Sequence, residues 1–141
     1  MRILITGTAG FIGFNFSKFL LKKTKHQIIG IDNLNDYYSP KIKKKRLEVL
    51  KKFKKFTFVK VDIKNKKKLD LIFKKKINVI FHLAAQAGVR YSLVNPKKYL
   101  DVHKKGFENL LNYLKKNPPK KIIYASSSSV YGNSKKLPTH E

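Results

Sequence analysis

Gly7, Gly10 and Gly13 recur at three-residue spacing, GxxGxxG, directly after the apolar run Arg2–Thr6 and before an apolar-rich stretch that reaches Leu21. A backbone without side chains can come close to an anion, and the free N–H groups and dipole of a helix N-terminus attract one. A phosphate cradle is one use of such a turn; a tight strand-to-helix connection is the other. Asp32 favours the first. It stands about twenty residues beyond the turn, at the end of a second apolar run, where a carboxylate accepts hydrogen bonds from adenosine ribose hydroxyls and repels a 2′-phosphate. The combination points to NAD in preference to NADP, with Asn33 a tolerant neighbour.

Asp62 ends a third run. It either caps a turn or hydrogen-bonds an adenine amino group, with Ile63 packing beside the ring. Serines 126–129 form an ordinary polar loop on one reading. On the other, their place at the end of a fifth run lets one of them orient a substrate hydroxyl or carbonyl for proton transfer. His82, flanked by Phe81 and Leu83, reads as a partnered core histidine and not as a base or ligand. With His26, His103 and His140 dispersed and no cysteine in the chain, no metal-ligand spacing appears and no metal is expected.

These residues need elements to position them. Strands are expected at Arg2–Thr6 and at 27–31, 56–61, 77–83 and 121–125. Between them lie apolar stripes at helical spacing: Leu47, Leu50 and Phe53 after Pro40, then Leu69, Ile72 and Phe73. After the small-residue turn 84–88, one long helical pattern carries Tyr99, Val102, Phe107, Leu110, Leu111 and Leu114 until Pro118-Pro119 stops it. Strands alternating with helices imply an α/β fold, a Rossmann-like doubly wound parallel sheet with helices on both faces. In such a sheet ligands bind at the carboxyl ends of the strands, where the glycines, Asp32, Asp62, residues 84–86 and the serines all fall.

A chain of 141 residues makes one domain, and 42% hydrophobic content argues against disorder. The net charge of +25 comes from thirty lysines and only three arginines, Arg2, Arg46 and Arg90. The lysines fall in doublets and triplets, from Lys22-Lys23 through Lys43-Lys44-Lys45 to Lys135-Lys136, and read as a solvated surface. Base and phosphate recognition leans on the guanidinium fork, so no specific nucleic-acid partner is expected. No apolar run is long enough to span a membrane and no cleavable leader is visible, which makes cytoplasm the expected compartment and leaves no membrane partner.

Four stretches, TGTAGFIG, GIDNLNDYY, FHLAAQAGVRYS and YASSSSVYG, resemble the extended short-chain dehydrogenase/reductase family in the family's own order. Among its nucleotide-sugar epimerases and dehydratases, residues 32–38 and 87–92 are most similar to the UDP-glucuronate 4-epimerase subfamily. The resemblance implies that Gly7, Gly10, Phe11, Ile12 and Gly13 hold an NAD diphosphate and Asp32 its ribose. Asp62 and Ile63 would flank the adenine, and Leu83, Ala84, Ala85 and Gln86 would line the nicotinamide half. Ser127 matches the active-site Ser/Thr, Ser126 sits beside it on the cofactor, and Arg90 helps bind the anionic part of a UDP-sugar. The implied activity is isomerisation by transient hydride transfer through a 4-keto sugar, in a family whose full-length members are commonly homodimers.

Two departures qualify this. The family pattern Y-x-D-x-N-x-x-G has His103 in place of its Asn. The catalytic Tyr and Lys of a YxxxK helix, and the carboxyl-terminal sugar-nucleotide region, are not reached before Glu141. Tyr131 does not match that tyrosine, and Tyr113 has no lysine four residues on. Residues 1–141 are thus expected to be an incomplete NAD-binding domain with at most weak NAD binding and no turnover. The rival readings are a sugar-nucleotide 4,6-dehydratase, a non-catalytic NAD-binding module and a lysine-driven nucleic-acid binder.

Overall fold

The structure is a computed structural model and describes residues 1–133 and 138. Lys135, Lys136, His140 and Glu141 lie outside the described residues. Five strands, β1 (Arg2–Thr6), β2 (Gln27–Asp32), β3 (Phe56–Lys60), β4 (Val79–His82) and β5 (Lys121–Tyr124), form one sheet in the order β3-β2-β1-β4-β5. Every pairing is parallel. β1 is central and buried on both faces, which is why its residues 3–5 are uninterrupted Ile-Leu-Ile.

Helices cover both faces. Ile3, Ile5 and Ile28 pack with Leu21 of α1 (Phe11–Lys23) and with Leu47 and Leu50 of α2 (Pro40–Lys51). Leu4, Ile29, Ile31 and Ile80 pack on the opposite side with Leu69, Ile72 and Phe73 of α3 (Lys66–Phe73) and Leu110 of α6 (Phe107–Lys116). The apolar stripes read from the sequence are therefore the ones buried. Local chemistry sets the helix ends: Pro40 opens the first turn of α2, and the Asn65 side chain accepts from the Lys68 N–H at 3.1 Å to cap α3.

The one long helix expected after residue 88 is divided. α4 (Val89–Val94) and α5 (Pro96–Leu100) meet at Asn95, whose φ of −131° and ψ of 61° are not helical because Pro96 follows it. A π-helical turn, Asp101–Gly106, then joins α5 to α6. Gly106 faces Ile63 so closely that a Cβ there would stand 2.5 Å from the Ile63 Cδ1, so the wider turn presses its backbone onto the strand-end loop. β4 and β5 are also shorter than expected by one to two residues at their ends.

Candidate functional site

The chain leaves β1 at Thr6 and reverses into α1 through the glycines. Gly7 has φ +70°, and a Cβ on it would lie 2.9 Å from the Leu83 carbonyl oxygen. A Cβ on Gly13 would lie 2.2 Å from the Gly7 oxygen, so α1 begins hard against the loop it follows. The Gly10 N–H donates to the Gly7 carbonyl at 3.0 Å and the Phe14 N–H to the Gly10 carbonyl at 3.0 Å. The N–H groups in the first turn of α1 have no intrahelical acceptor, and no acidic side chain occupies that turn. Phe11 and Ile12 are mostly exposed, leaving the turn open.

Asp32 closes the loop from β2. Its Oδ2 accepts from the Ala9 N–H at 3.0 Å and its Oδ1 from the Leu34 N–H at 2.8 Å. The second bond holds Leu34 at φ 55°, a left-handed conformation that costs a non-glycine residue about 1 kcal/mol. Beyond it, the Asn33 Nδ2 donates to the Asp62 Oδ2 at 3.1 Å, tying the ends of β2 and β3 together. The Asp62 Oδ1 accepts from the Lys64 N–H at 2.9 Å, so the carboxylate serves its own turn as well. On the other side of β1, the Thr6 hydroxyl receives the N–H groups of Leu83 and Ala84. Gln86 is 3% exposed and its Oε1 has no partner among the described residues, a buried acceptor suited to a ligand's donor.

Gly7, Gly10, Phe11, Ile12, Gly13, Asp32, Asn33, Asp62, Ile63, Leu83, Ala84, Ala85 and Gln86 all border one cleft of about 420 Å³. That volume lies within the range of small-molecule sites, roughly 300–1,000 Å³. Ala125, at the end of β5, reaches it too. Ser126, Ser127 and Arg90 are not brought to the cleft. Both serines are exposed just past Ala125, the Ser127 Oγ accepts from the Ser129 N–H at 3.3 Å, and Arg90 is exposed on α4. His82 is partnered as expected, at 2.9 Å from the Thr6 hydroxyl. His103 sits on the π-helical turn with its Nε2 3.3 Å from the Gln86 nitrogen, backing the nicotinamide-side loop expected from the sequence.

Sequence reasoning passed over Asn35, Tyr37, Tyr38, Lys43 and Arg46, which also line the cleft. Lys43 overturns the reading of its triplet as solvated surface. It is 4% exposed, its Nζ donates to the Asn35 carbonyl at 2.8 Å and to Asn35 Oδ1 at 2.6 Å, and it lies 4.5 Å from the Tyr38 ring centroid. Burial lowers its pKa, opposed by the charges of Asp32 and Asp36. The aromatic pair Tyr37-Tyr38 just before a cationic helix was the one hint in the sequence, and it does not single out which cation meets the rings. Among the described residues, no three His, Asp or Glu side chains cluster closely enough to hold a metal ion, and no helix is long and apolar enough to cross a membrane.

A parallel sheet ordered 3-2-1-4-5, with a glycine turn after its first strand and an acidic residue ending its second, defines the Rossmann-like class of nucleotide-binding folds. The family model described as GDP-mannose 4,6 dehydratase matches residues 4–141, and the chain belongs to that family. It is 49% identical over 133 residues to Protein CapI of Staphylococcus aureus, covering 94% of this chain and 39% of that protein. It is 46% identical over 139 residues to the UDP-glucuronate 4-epimerase of Thermodesulfobacterium geofontis, covering 98% and 42%. Among solved structures, a mutant UDP-glucuronic acid 4-epimerase from Bacillus cereus, in complex with UDP-4-deoxy-4-fluoro-glucuronic acid and NAD, superposes with TM-score 0.87 at 32% identity. That match covers 100% of this chain and 45% of the other. The chain thus spans about two fifths of the length of the relatives it matches.

Proposed function

We propose that this chain is the NAD-binding, amino-terminal part of a nucleotide-sugar 4-epimerase of the UDP-glucuronate type. The observation that carries the reading is the shared cleft of the glycine turn and Asp32, with a helix N-terminus left open between them. When bound, NAD would supply a hydride acceptor and donor for the sugar's C4. The first-turn N–H groups at Phe11, Ile12 and Gly13 bind the diphosphate, and glycine at 7, 10 and 13 keeps the approach clear. Asp32 holds the ribose hydroxyls, and the linked Asn33 and Asp62 face the adenine with Ile63 beside it. Leu83, Ala84, Ala85 and Gln86 line the nicotinamide half, where the unpartnered Gln86 Oε1 accepts from an amide or hydroxyl donor.

In the same reading Ser126 approaches the cofactor, Ser127 orients the reacting oxygen of a UDP-sugar, and Arg90 meets the sugar's carboxylate. The catalytic Tyr and Lys and the sugar-nucleotide region belong to the remainder of a longer, cytoplasmic, homodimeric enzyme. Residues 1–141 alone are expected to bind NAD weakly and to leave UDP-glucuronate and UDP-galacturonate unconverted. Titration calorimetry with NAD, together with a chromatographic assay of the two sugars, tests both halves. Absence of NAD binding in a folded chain refutes the cofactor reading, and turnover by these residues alone refutes the division of labour.

A second reading is favoured by the family model's description: a sugar-nucleotide 4,6-dehydratase has the same cofactor half. Release of water from the sugar by a longer form of the chain would select it.

A further inference from the structure

Arg46 has no part in the assignments above, yet it reaches the loop on which they depend. It projects from α2, and its Nη1 donates to the Ala9 carbonyl at 3.1 Å and to the Tyr38 hydroxyl at 3.0 Å. Its Cζ lies 5.9 Å from the ring centroids of both Phe11 and Tyr38. Ala9 is thereby fixed at both ends of its peptide framework, its N–H by Asp32 and its carbonyl by Arg46. The residue is half-buried, borders the cleft, and has no carboxylate within ion-pairing distance among the described residues, where the one ion pair joins Lys64 and Asp62. A solubilising surface charge needs none of these contacts. One guanidinium nitrogen serves both acceptors while the group lies within cation–π range of two rings, a reach and a flat cationic group that arginine has and lysine lacks.

We infer that Arg46 is a positioning residue for the phosphate loop: from α2 it braces Ala9 and Phe11 so that the first turn of α1 stays set for a diphosphate. The bracing stands on geometry, while its consequence for binding rests on the dinucleotide reading proposed above. Because a lysine ammonium ends one bond short of the Nη1 that makes both contacts, Arg46→Lys keeps the charge but holds the two acceptors less well. Tyr38→Phe removes one acceptor and leaves the Ala9 bond in place.

The test uses the whole 141-residue chain with two readouts, NAD affinity by calorimetry and ligand-free amide hydrogen exchange at residues 8–13. Arg46→Met is expected to lose about tenfold in NAD affinity, Arg46→Lys less, and Tyr38→Phe about twofold. In Arg46→Met, exchange at residues 8–13 should accelerate while the amides of β1 and β2 keep their rates. Wild-type affinity in Arg46→Met, or loop exchange that stays unchanged or rises together with the strands, overturns the inference. Failure of the unsubstituted chain to bind NAD refutes the dinucleotide reading instead, and the exchange measurement then decides the bracing alone.

Discussion

The Thr6 hydroxyl stands 2.9 Å from the His82 Nδ1 while it accepts the N–H groups of Leu83 at 3.0 Å and Ala84 at 2.9 Å. With its accepting capacity taken by two backbone donors, the hydroxyl gives its own proton to His82, whose Nδ1 must then be bare. Burial, with the nearby His103 adding to it, lowers the His82 pKa from 6.5 to about 4. An unfolded chain therefore takes up this proton near pH 6.5 and the folded one only near 4. The stability contribution is complete above about pH 6.5 and is lost as pH falls toward 4, by at most about 3 kcal/mol. Urea unfolding of the natural chain and of His82→Gln between pH 7.5 and 4.5 should show the smaller pH dependence in the variant; equal slopes would contradict the lowered pKa of His82.

Gly13 should not tolerate a methyl group. The atoms its Cβ would meet are backbone, the Gly7 oxygen at 2.2 Å and the Thr8 Cα at 2.9 Å, and neither can swing away. Gly13→Ala is expected to cost at least about 2 kcal/mol, read as a lowered thermal midpoint or loss of soluble protein. A natural midpoint would show that α1 is not seated against the loop as described.

Asp32→Asn separates architecture from cofactor choice. An amide can accept from one of the Ala9 and Leu34 N–H groups but not from both as the carboxylate does, so a loss of about 1–2 kcal/mol is expected in unfolding experiments. The negative charge also disappears. The preference for NAD over NADP should narrow in parallel titrations, and an unchanged ratio would argue that Asp32 does not face the ribose.

The net charge of +25 predicts polyanion binding of one kind only. Affinity for duplex DNA should collapse between about 50 and 200 mM salt, as counterion release requires, and should be indifferent to sequence. A salt-resistant complex would revive the nucleic-acid reading.

The central layer was legible because strand and helix periods were unmixed there: Ile3, Leu4 and Ile5 read as a buried strand, and Leu69, Ile72 and Phe73 as a helix face, and each is buried. The glycine turn and Asp32 were legible because few residue types can do what those positions demand. Lys43 and Arg46 were not, since a cation in a lysine-rich helix looks the same whether it faces water or a tyrosine ring. Pro96 marks in the sequence where the expected long helix breaks, but local spacing hid the π-helical turn beyond it. Val102 and Phe107 are five residues apart, a step that fits a wide turn and no regular helix, but it stands between steps that do fit.

That five-residue step means the segment 101–106 holds one amino acid more than a regular turn would, and it does so without turning Leu110 away from the core. Chain length is consequently negotiable there. Loss of one residue from this turn can heal into an ordinary helix with both flanks still in phase, whereas the same loss inside α6 would rotate every later side chain by about 100°.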